Sequence, residues 1–161
     1  MKKILVSDID NTVADQFARI KNYFNFETNE YNYDGNSTEA VKQDEVLEYS
    51  VEAMKALSNQ FEIHWLSARP LDQYDATYYW LKDKGFIVDS LTLVESHEKK
   101  IPILKKMNPD LFIDDMKYDY LSFEPKLATR FISLVRSLNI NYIIFDGDWK
   151  KTLETLNYNI D

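Results

Sequence analysis

Five short apolar runs alternate with helical patterns along this chain, and that alternation constrains the fold more than any other feature. The runs cover residues 4–6, 61–66, 91–94, 111–113 and 142–145. Strands separated by helices are typical of βαβ units, which form parallel sheets with right-handed connections. We therefore predict an α/β fold, with one parallel five-stranded sheet flanked by helices, in a single domain spanning residues 1–161.

Polar side chains follow these runs, at the points where the predicted strands end. They are Asp8, Asp10, Ser67, Arg69, Asp114, Asp115, Asp146 and Asp148. In an open parallel sheet the carboxyl ends of the strands share one edge, and ligands bind there. We therefore expect these side chains to converge on one site. Taken alone, the turn at residues 8–11 is explained as well by a strand-ending turn with side-chain caps.

Apolar residues at helical spacing predict helices between the strands. A cap at Ser37, followed by an apolar face that runs to Leu57, predicts one helix. Another begins near Tyr74 and stops at Gly85, and Pro102 suits the first turn of a third. A last helical face consists of Leu127, Phe131, Leu134 and Leu138.

The segment of about residues 13–45 joins the first strand to the second helix-strand unit. It begins with a weak helical pattern and becomes rich in tyrosine and asparagine between Asn22 and Thr38. We predict a flap or minimal cap over the strand ends, because long loops in compact domains tend to be functional. A plain surface connection is the alternative. Tyr31 and Tyr33 are candidates for stacking on a nucleobase.

Charge and composition narrow the function. The net charge is −8 with an isoelectric point near 4.8, which disfavours binding through many phosphate contacts. The chain has no cysteine, so it has no disulfide framework or thiolate site, and a reducing, cytoplasmic location is expected. The apolar start is too short for a signal peptide, and no stretch is long enough to span a membrane.

Clustered carboxylates at a buried sheet edge need a counter-charge. Mg²⁺ prefers oxygen ligands and keeps several waters, and Asp8, Asp115 and Asp119 are candidate partners for it. Phosphoryl transfer suits such a site, because a carboxylate can attack phosphorus to give an aspartyl-phosphate. The second aspartate of the first turn can then protonate the leaving alkoxide and later deprotonate the water.

These motifs resemble those of the haloacid dehalogenase (HAD) superfamily. Residues 8–15, Asp-Ile-Asp-Asn-Thr-Val-Ala-Asp, look like its first motif, and Ser67 looks like its second. A lysine ahead of the fourth strand looks like the third, and Asp114-Asp115 followed by Asp119 looks like the fourth. Asn11 departs from the glycine usual at its position. The resemblance implies a Rossmann-like fold with the strand order 5-4-1-2-3.

The resemblance also implies catalytic roles. Asp8 would be the nucleophile, Asp10 the general acid and base, and Ser67 a hydrogen-bond partner of the transferred phosphoryl group. A lysine would neutralise the phosphate, and we favour Lys99 over the adjacent Lys100 because the Ser-His-x-Lys spacing fits.

The same resemblance implies a Mg²⁺ site and substrate contacts. The Mg²⁺ partners would be Asp8, the Asp10 carbonyl, Asp115, Asp114 and Asp119, the last two directly or through water. Beside the catalytic residues, we assign substrate binding to Thr12, Ala68, Arg69 and Lys100. Arg69 has the alternative of pairing with an acid such as Asp72.

Two finer resemblances suggest substrates. Residues 13–17, 77–81, 93–99 and 111–115 look like the 5′(3′)-deoxyribonucleotidase-like branch, which implies a nucleotide or similar small phosphate. Ser67-Ala68-Arg69 and residues 146–149 also look like the 3′-phosphatase domain of polynucleotide kinases, so nucleic-acid 3′ ends are the alternative substrate.

Two rivals come from other classes of protein. A receiver-type signalling domain also phosphorylates an aspartate, but it carries its acidic pair on the first strand, whereas here the pair ends the fourth. A catalytically dead HAD-like binding protein is the other rival, and the filled charged positions speak against it. Neither the oligomeric state nor the exact substrate follows from the sequence.

Overall fold

The computed structural model describes residues 1–158. In chain order its elements are β1 (Lys3–Ser7), α1 (Gln16–Asn22), β2 (Phe24–Asn25), β3 (Glu30–Tyr31), α2 (Thr38–Val41), α3 (Ser50–Leu57), β4 (Phe61–Ser67), α4 (Tyr74–Asp83), β5 (Ser90–Leu93), α5 (Lys100–Met107), β6 (Leu111–Asp114), β7 (Lys117–Tyr118), β8 (Lys126–Leu127), α6 (Thr129–Ser137), β9 (Tyr142–Ile144) and α7 (Trp149–Thr155). Short 3₁₀ helices lie at Tyr33–Asn36, Leu71–Gln73 and Tyr120–Ser122. Within this part of the chain no helix is long and apolar enough to cross a membrane.

The main sheet has five strands in the order β5-β4-β1-β6-β9, and every neighbouring pair is parallel. Counted along the chain and read from β9, these strands give the expected order 5-4-1-2-3, so the α/β fold prediction is confirmed. The central strand is β1, where Val6 pairs with His64 on one side and Phe112 on the other. The first turn therefore opens at the middle of the sheet edge.

Successive residues of the central strands face opposite cores, as the period of a strand requires. Leu5 and Ile63 belong to one core, which α3, α4 and α7 cover. Val6 and Phe112 belong to the other, which α5 and α6 cover. Because both faces are covered, the strands read as continuous apolar runs rather than alternating ones.

The helix expected from Ser37 to Leu57 is two helices. Ser37 does cap α2, because its hydroxyl accepts the Ala40 N–H, but α2 ends at Val41 and α3 begins only at Ser50. Between them the backbone runs beside the first turn instead of coiling. The N–H of Asp15 donates to the Glu45 carbonyl at 2.9 Å, and the Leu47 N–H donates to Val13 at 2.8 Å. These long-range bonds replace the helical ones.

The last helices also differ from the expected pattern. Leu127 lies in the β7–β8 hairpin and is 47% exposed, so it is not part of α6. The buried face of α6 is instead Phe131, Ile132 and Val135. Helix α7 was not expected. Asp148 begins it by accepting the Lys151 N–H, and Asp146 pairs with the Lys151 side chain. These two aspartates are exposed and do not line the cavity at the sheet edge, so the expectation that they converge there with the other strand-end residues was wrong.

The segment between α1 and α3 forms the β2–β3 hairpin, a 3₁₀ turn and α2. A Cβ atom at Gly35 would meet the Tyr31 hydroxyl and the Tyr23 ring, so the turn fits only glycine without a shift. The β2 side chain Phe24 packs edge-on against Phe123 beside the β7–β8 hairpin, with ring centroids 4.7 Å apart. Two small hairpins therefore contact each other beside the edge of the main sheet.

Candidate active site

The turn after β1 is held in shape by its own side chains. Asn11 has a φ of 61°, in the left-handed region that asparagine tolerates better than most residues. Its side-chain oxygen accepts the Phe17 N–H at 2.9 Å, and its amide donates to Gln16 at 2.8 Å. These bonds tie the turn to the start of α1. Asparagine thus takes the place of the glycine usual in similar motifs.

Three buried aspartates and one lysine form what we call the carboxylate cluster. Oxygen atoms of Asp8, Asp114 and Asp115 all lie within 4.8 Å of one another. The Lys100 Nζ lies between two of them, 2.9 Å from Asp8 Oδ1 and 2.8 Å from Asp114 Oδ2. Lys100 is fully buried at the first residue of α5. A single ammonium group therefore faces three carboxylates.

The pKa values reflect this imbalance. Burial, and then the neighbouring carboxylates, raise the pKa of Asp115 well above its usual value, and burial raises that of Asp8 in spite of Lys100. Burial disfavours the charged form of Lys100, but Asp114 and Asp8 outweigh it and raise the lysine pKa. The lysine stays charged, and two carboxylate charges lack a partner when all three ionise. Three convergent carboxylates of this kind suit a hard divalent cation such as Mg²⁺.

Two hydroxyl groups orient the carboxylate cluster. The Thr12 hydroxyl donates to Asp8 Oδ2 at 3.3 Å and accepts the Asp115 N–H at 3.2 Å. The Tyr120 hydroxyl donates to Asp115 Oδ2 at 2.5 Å. Thr12 is fully buried and its carbonyl accepts the Trp149 indole N–H, so it bonds to protein groups on every side. Thr12, which we expected at the substrate, supports Asp8 and Asp115 instead.

A second buried group, which we call the arginine clamp, consists of Asp10, Arg19, Asp44 and Arg69. Arg69 grips Asp10 with two hydrogen bonds, from Nε to Oδ2 at 3.1 Å and from Nη2 to Oδ1 at 2.8 Å. Arg19 Nη2 lies 3.6 Å from the same Oδ1. On the far side, Asp44 accepts Arg19 Nε at 2.7 Å and Arg69 Nη2 at 3.4 Å. The charges of the two carboxylates and the two guanidinium groups therefore cancel.

The clamp separates the pKa values of its two acids. Burial disfavours the charged form of Asp10, but Arg69 and then Arg19 outweigh burial, so the Asp10 pKa lies below its usual value. Burial raises the pKa of Asp44 to about 6 against the opposing pull of Arg19. Asp10 is 18% exposed at its side chain and Asp44 is not exposed at all. Asp10 is therefore the clamp member that presents an ionised carboxylate outward.

A cavity of about 630 Å³ opens above both groups. Six of the expected site residues line it: Asp8, Asp10, Ala68, Arg69, Asp115 and Asp119. Ser67 and Asp114 lie buried behind that wall. The Ser67 hydroxyl accepts the Arg69 N–H at 3.1 Å, which leaves its own hydrogen to donate. From the segment between α1 and α3, Asn36 and Val41 reach the cavity wall, whereas Tyr31 and Tyr33 do not line it.

Three expected assignments change. Lys100, not the favoured Lys99, contacts the carboxylates, because Lys99 precedes α5 and its side chain is exposed. Arg69 pairs with acids, as the alternative had it, but with Asp10 and Asp44 rather than with Asp72, and it also lines the cavity. Asp119 lines the cavity but stands outside the group of carboxylates close enough to share an ion in the described residues.

Three residues of the site have little signal in the sequence. Arg19 lies on α1, inside the 13–45 segment, and Asp44 stands between Gln43 and Glu45 in a stretch that looks like solvated surface. Tyr120 follows Asp119 in a polar loop. Only Arg19 had a usable signal, since it lies beside the apolar Ile20 on a helix that leaves the first motif. The contacts of Asp44 span 25 residues in each direction along the chain.

Comparison with solved structures finds a similar fold in HAD-like proteins. A haloacid dehalogenase-like hydrolase, SP0104 from Streptococcus pneumoniae, has a TM-score of 0.55 at 11% identity, with 96% of this chain and 98% of that chain covered. The class C acid phosphatase from Bacillus anthracis has a TM-score of 0.55 at 22% identity, covering 100% of this chain and 75% of that chain. At such identities the likeness establishes a HAD-like fold.

The Pnkp1/Rnl/Hen1 RNA repair complex contains another similar chain. Its TM-score is 0.59 at 14% identity, over 90% of the present chain. The present chain spans only 42% of the length of that neighbour. No protein-family model and no curated protein matches the sequence.

Proposed function

We propose that this protein is a Mg²⁺-dependent phosphomonoesterase that works through an aspartyl-phosphate on Asp8. The observation that carries the proposal is the carboxylate cluster: Asp8, Asp114 and Asp115 meet Lys100 at the sheet edge, below an open cavity. Beside it, Asp10 stands ionised in a clamp of two arginines. A nucleophile and a separate proton carrier are the two groups that this reaction needs.

The chain's own residues account for each proton and bond. A carboxylate oxygen of Asp8 attacks phosphorus, and the bond from phosphorus to the leaving oxygen breaks as Asp10 gives that oxygen a proton. Water then attacks the phosphorus, the bond to Asp8 breaks, and Asp10 takes the proton from the water. Asp10 is ionised in the free protein, so it first takes up the proton that it gives, from solvent or from the bound phosphate monoester. The negative charge of the incoming phosphate raises the Asp10 pKa and favours this uptake.

Asp8 and Asp115, with the Asp10 carbonyl, would hold Mg²⁺, and Asp114 would support them through Lys100. When bound, the ion would neutralise the carboxylates and screen them from the anionic phosphate. Lys100 stays charged next to Asp8 and would favour the phosphorylated form of that residue. Asp119 lies at the cavity wall, where contact with the ion through water is its proposed role.

A nucleotide or similar small phosphate is the proposed substrate. The cavity volume of about 630 Å³ suits a small molecule, and its wall combines the aromatic Tyr118 with the amides Asn36 and Gln73. The acidic balance of the chain supports the same choice. The protein is expected to act in the cytoplasm.

A polynucleotide 3′-phosphatase is the second candidate. One observation favours it: Ser67, Ala68 and Arg69 form a compact unit in which the Arg69 N–H bonds the Ser67 hydroxyl and the guanidinium grips Asp10. This is the segment that resembles the phosphatase domain of polynucleotide kinases. A neighbour from an RNA repair complex supports the idea at the level of the fold. A HAD-like protein that only binds phosphates is the non-enzymatic alternative.

Phosphate release from a panel of substrates tests these proposals. The panel contains nucleoside 5′- and 3′-monophosphates, sugar phosphates, and oligonucleotides with a 3′-phosphate, each with Mg²⁺ and with a chelator. We expect Mg²⁺-dependent release that the Asp8→Asn variant lacks. Preference for the oligonucleotides would move the assignment to end processing. No release from any member by folded, Mg²⁺-bound protein would contradict a phosphomonoesterase and favour the binding role.

A further inference from the structure

Asp44 is the most buried acid of the arginine clamp, and the mechanism above gives it no role. Its carboxylate is wholly shielded from solvent and faces guanidinium groups of both Arg19 and Arg69. It does not line the cavity. Both of its partners also contact Asp10, which does line the cavity. Asp44 is thus linked to Asp10 through both Arg19 and Arg69, and it does not itself contact the cavity where a substrate would bind.

The position of Asp44 is set by the core rather than by its charge. Its backbone carbonyl accepts the indole N–H of Trp80 at 2.9 Å, from the buried face of α4. Its backbone N–H donates to Val41 at the end of α2. A change to the carboxylate alone therefore leaves the backbone anchored, and the effects of such a change report on the arginines.

The arginines have few other ways to hold their orientation. Arg69 uses Nε and Nη2 on Asp10, and Nη1 on the buried Thr77 hydroxyl at 3.0 Å. Arg19 places Nη1 on the Gly35 carbonyl at 2.7 Å, and its Nε has Asp44 as acceptor. Without the Asp44 charge, two buried guanidinium groups would face one carboxylate. Arg19 Nε and Arg69 Nη2 would each lose one acceptor, and the planes of both guanidinium groups would be held less firmly.

We propose that Asp44 is a positioning residue for Asp10, acting through Arg19 and Arg69. The inference rests on the proposed phosphomonoesterase function. Asp44 accepts Arg19 Nε and Arg69 Nη2 and so fixes the planes of both guanidinium groups, which in turn hold the Asp10 carboxylate in place at the cavity. Loss of the Asp44 carboxylate frees both guanidinium groups to turn, and the Asp10 carboxylate then loses the orientation from which it reaches the leaving oxygen. The attack by Asp8 does not depend on this residue.

The test compares two esters that differ in how much they need an acid. Protonation matters more for phenyl phosphate than for p-nitrophenyl phosphate, whose leaving group departs readily without it. For Asp44→Asn we expect kcat/KM to fall by about 10- to 100-fold on phenyl phosphate, as for a misplaced catalytic group, and by much less on p-nitrophenyl phosphate. Asp44→Glu keeps the carboxylate, so the ratio of kcat/KM on the two esters should return most of the way to that of the wild type.

Trp80→Phe is the matched control, since it removes a bond to the Asp44 backbone and leaves the carboxylate in place. We expect it to lower the free energy of unfolding without changing the ratio of the two esters. Should Asp44→Asn fail to fold, Arg19→Lys tests the same bridge, because lysine keeps the charge but lacks Nε. The ratio of kcat/KM on p-nitrophenyl phosphate to kcat/KM on phenyl phosphate should again rise.

The outcomes separate the two proposals. Suppose that the wild type turns over both esters. If Asp44→Asn then lost activity equally on both, or lost none, the positioning role would be overturned and the phosphomonoesterase function would stand. Absence of Mg²⁺-dependent turnover in the wild type on either ester would overturn the proposed function and this inference together.

Discussion

The carboxylate cluster and the arginine clamp lie side by side at one sheet edge, and both bury several charges. They differ in how far the negative and positive charges cancel. The cluster sets three carboxylates against Lys100, whereas the clamp sets Asp10 and Asp44 against two arginines. Burial of unpaired charge is costly, so the cluster could take up a further cation or a proton, whereas the charges of the clamp already cancel. Asp8 and Asp10 are only two residues apart, but their counter-charges differ, and this difference supports the separate roles proposed for them.

The lysine of the cluster gives the largest expected effect. Lys100→Ala removes the only ammonium group on Asp8 and Asp114 in the described residues, and we expect kcat to fall by about 10³-fold, as for other lost charge-stabilising groups. Lys99→Ala is the matched control on the neighbouring residue, and its activity should equal that of the wild type. Phosphate release under saturating substrate measures both. A greater loss from Lys99→Ala would reverse the assignment.

Mg²⁺ affinity distinguishes the cluster from the acids around it. We expect Asp115→Asn to weaken Mg²⁺ binding by more than the roughly 10- to 100-fold that is usual when an outer-shell partner is lost. Asp119→Asn should weaken it far less, because its carboxylate is outside the cluster. Titration calorimetry with Mg²⁺ on the substrate-free protein checks this pair. Equal losses from the two variants would place Asp119 among the direct ligands.

The clamp gives the smallest effect, in the pH dependence of stability. Folding raises the Asp44 pKa from 3.8 to about 6, so the folded protein keeps a proton that the unfolded chain has released. The Asp44 contribution to the free energy of unfolding therefore falls as pH rises from about 4 to about 6. Asp44→Asn lacks this contribution, so its stability should fall less steeply over that range.

Urea unfolding at several pH values, with a chelator present, measures this slope for the two proteins. Asp8 and Asp115 also titrate with raised pKa values, but they do so in both proteins and cancel in the comparison. A slope as steep in Asp44→Asn as in the wild type would mean that Asp44 is ionised across the range.

Much of the fold was predictable because its signals are local. Apolar runs mark each strand of the main sheet, and strand ends such as Asp8 and Asp115 follow directly from them. The break between α2 and α3 was not predictable, since it depends on Leu47 bonding to Val13 across the fold. Apolar spacing that continues through such a break looks like one helix.

Site residues that directly follow a strand of the main sheet were predictable from the sequence. Site residues on other segments were less so. Lys99 and Lys100 are neighbours in sequence, and only the starting phase of α5 decides which one turns inward. The clamp unites Arg19 and Asp44 with Arg69 across three separate segments. Neither Arg19 nor Asp44 follows a strand of the main sheet, so the rule that gathers ligands at strand ends does not reach them.

The most direct test of the central claim is to trap the phosphorylated protein. Wild-type protein is mixed with p-nitrophenyl phosphate and Mg²⁺, quenched in acid during turnover, and digested for peptide mass analysis. We predict one added phosphoryl group on the peptide that contains Asp8, absent with a chelator and absent in Asp8→Asn. Continued turnover with no adduct, or with the adduct on a different residue, would contradict Asp8 as the nucleophile.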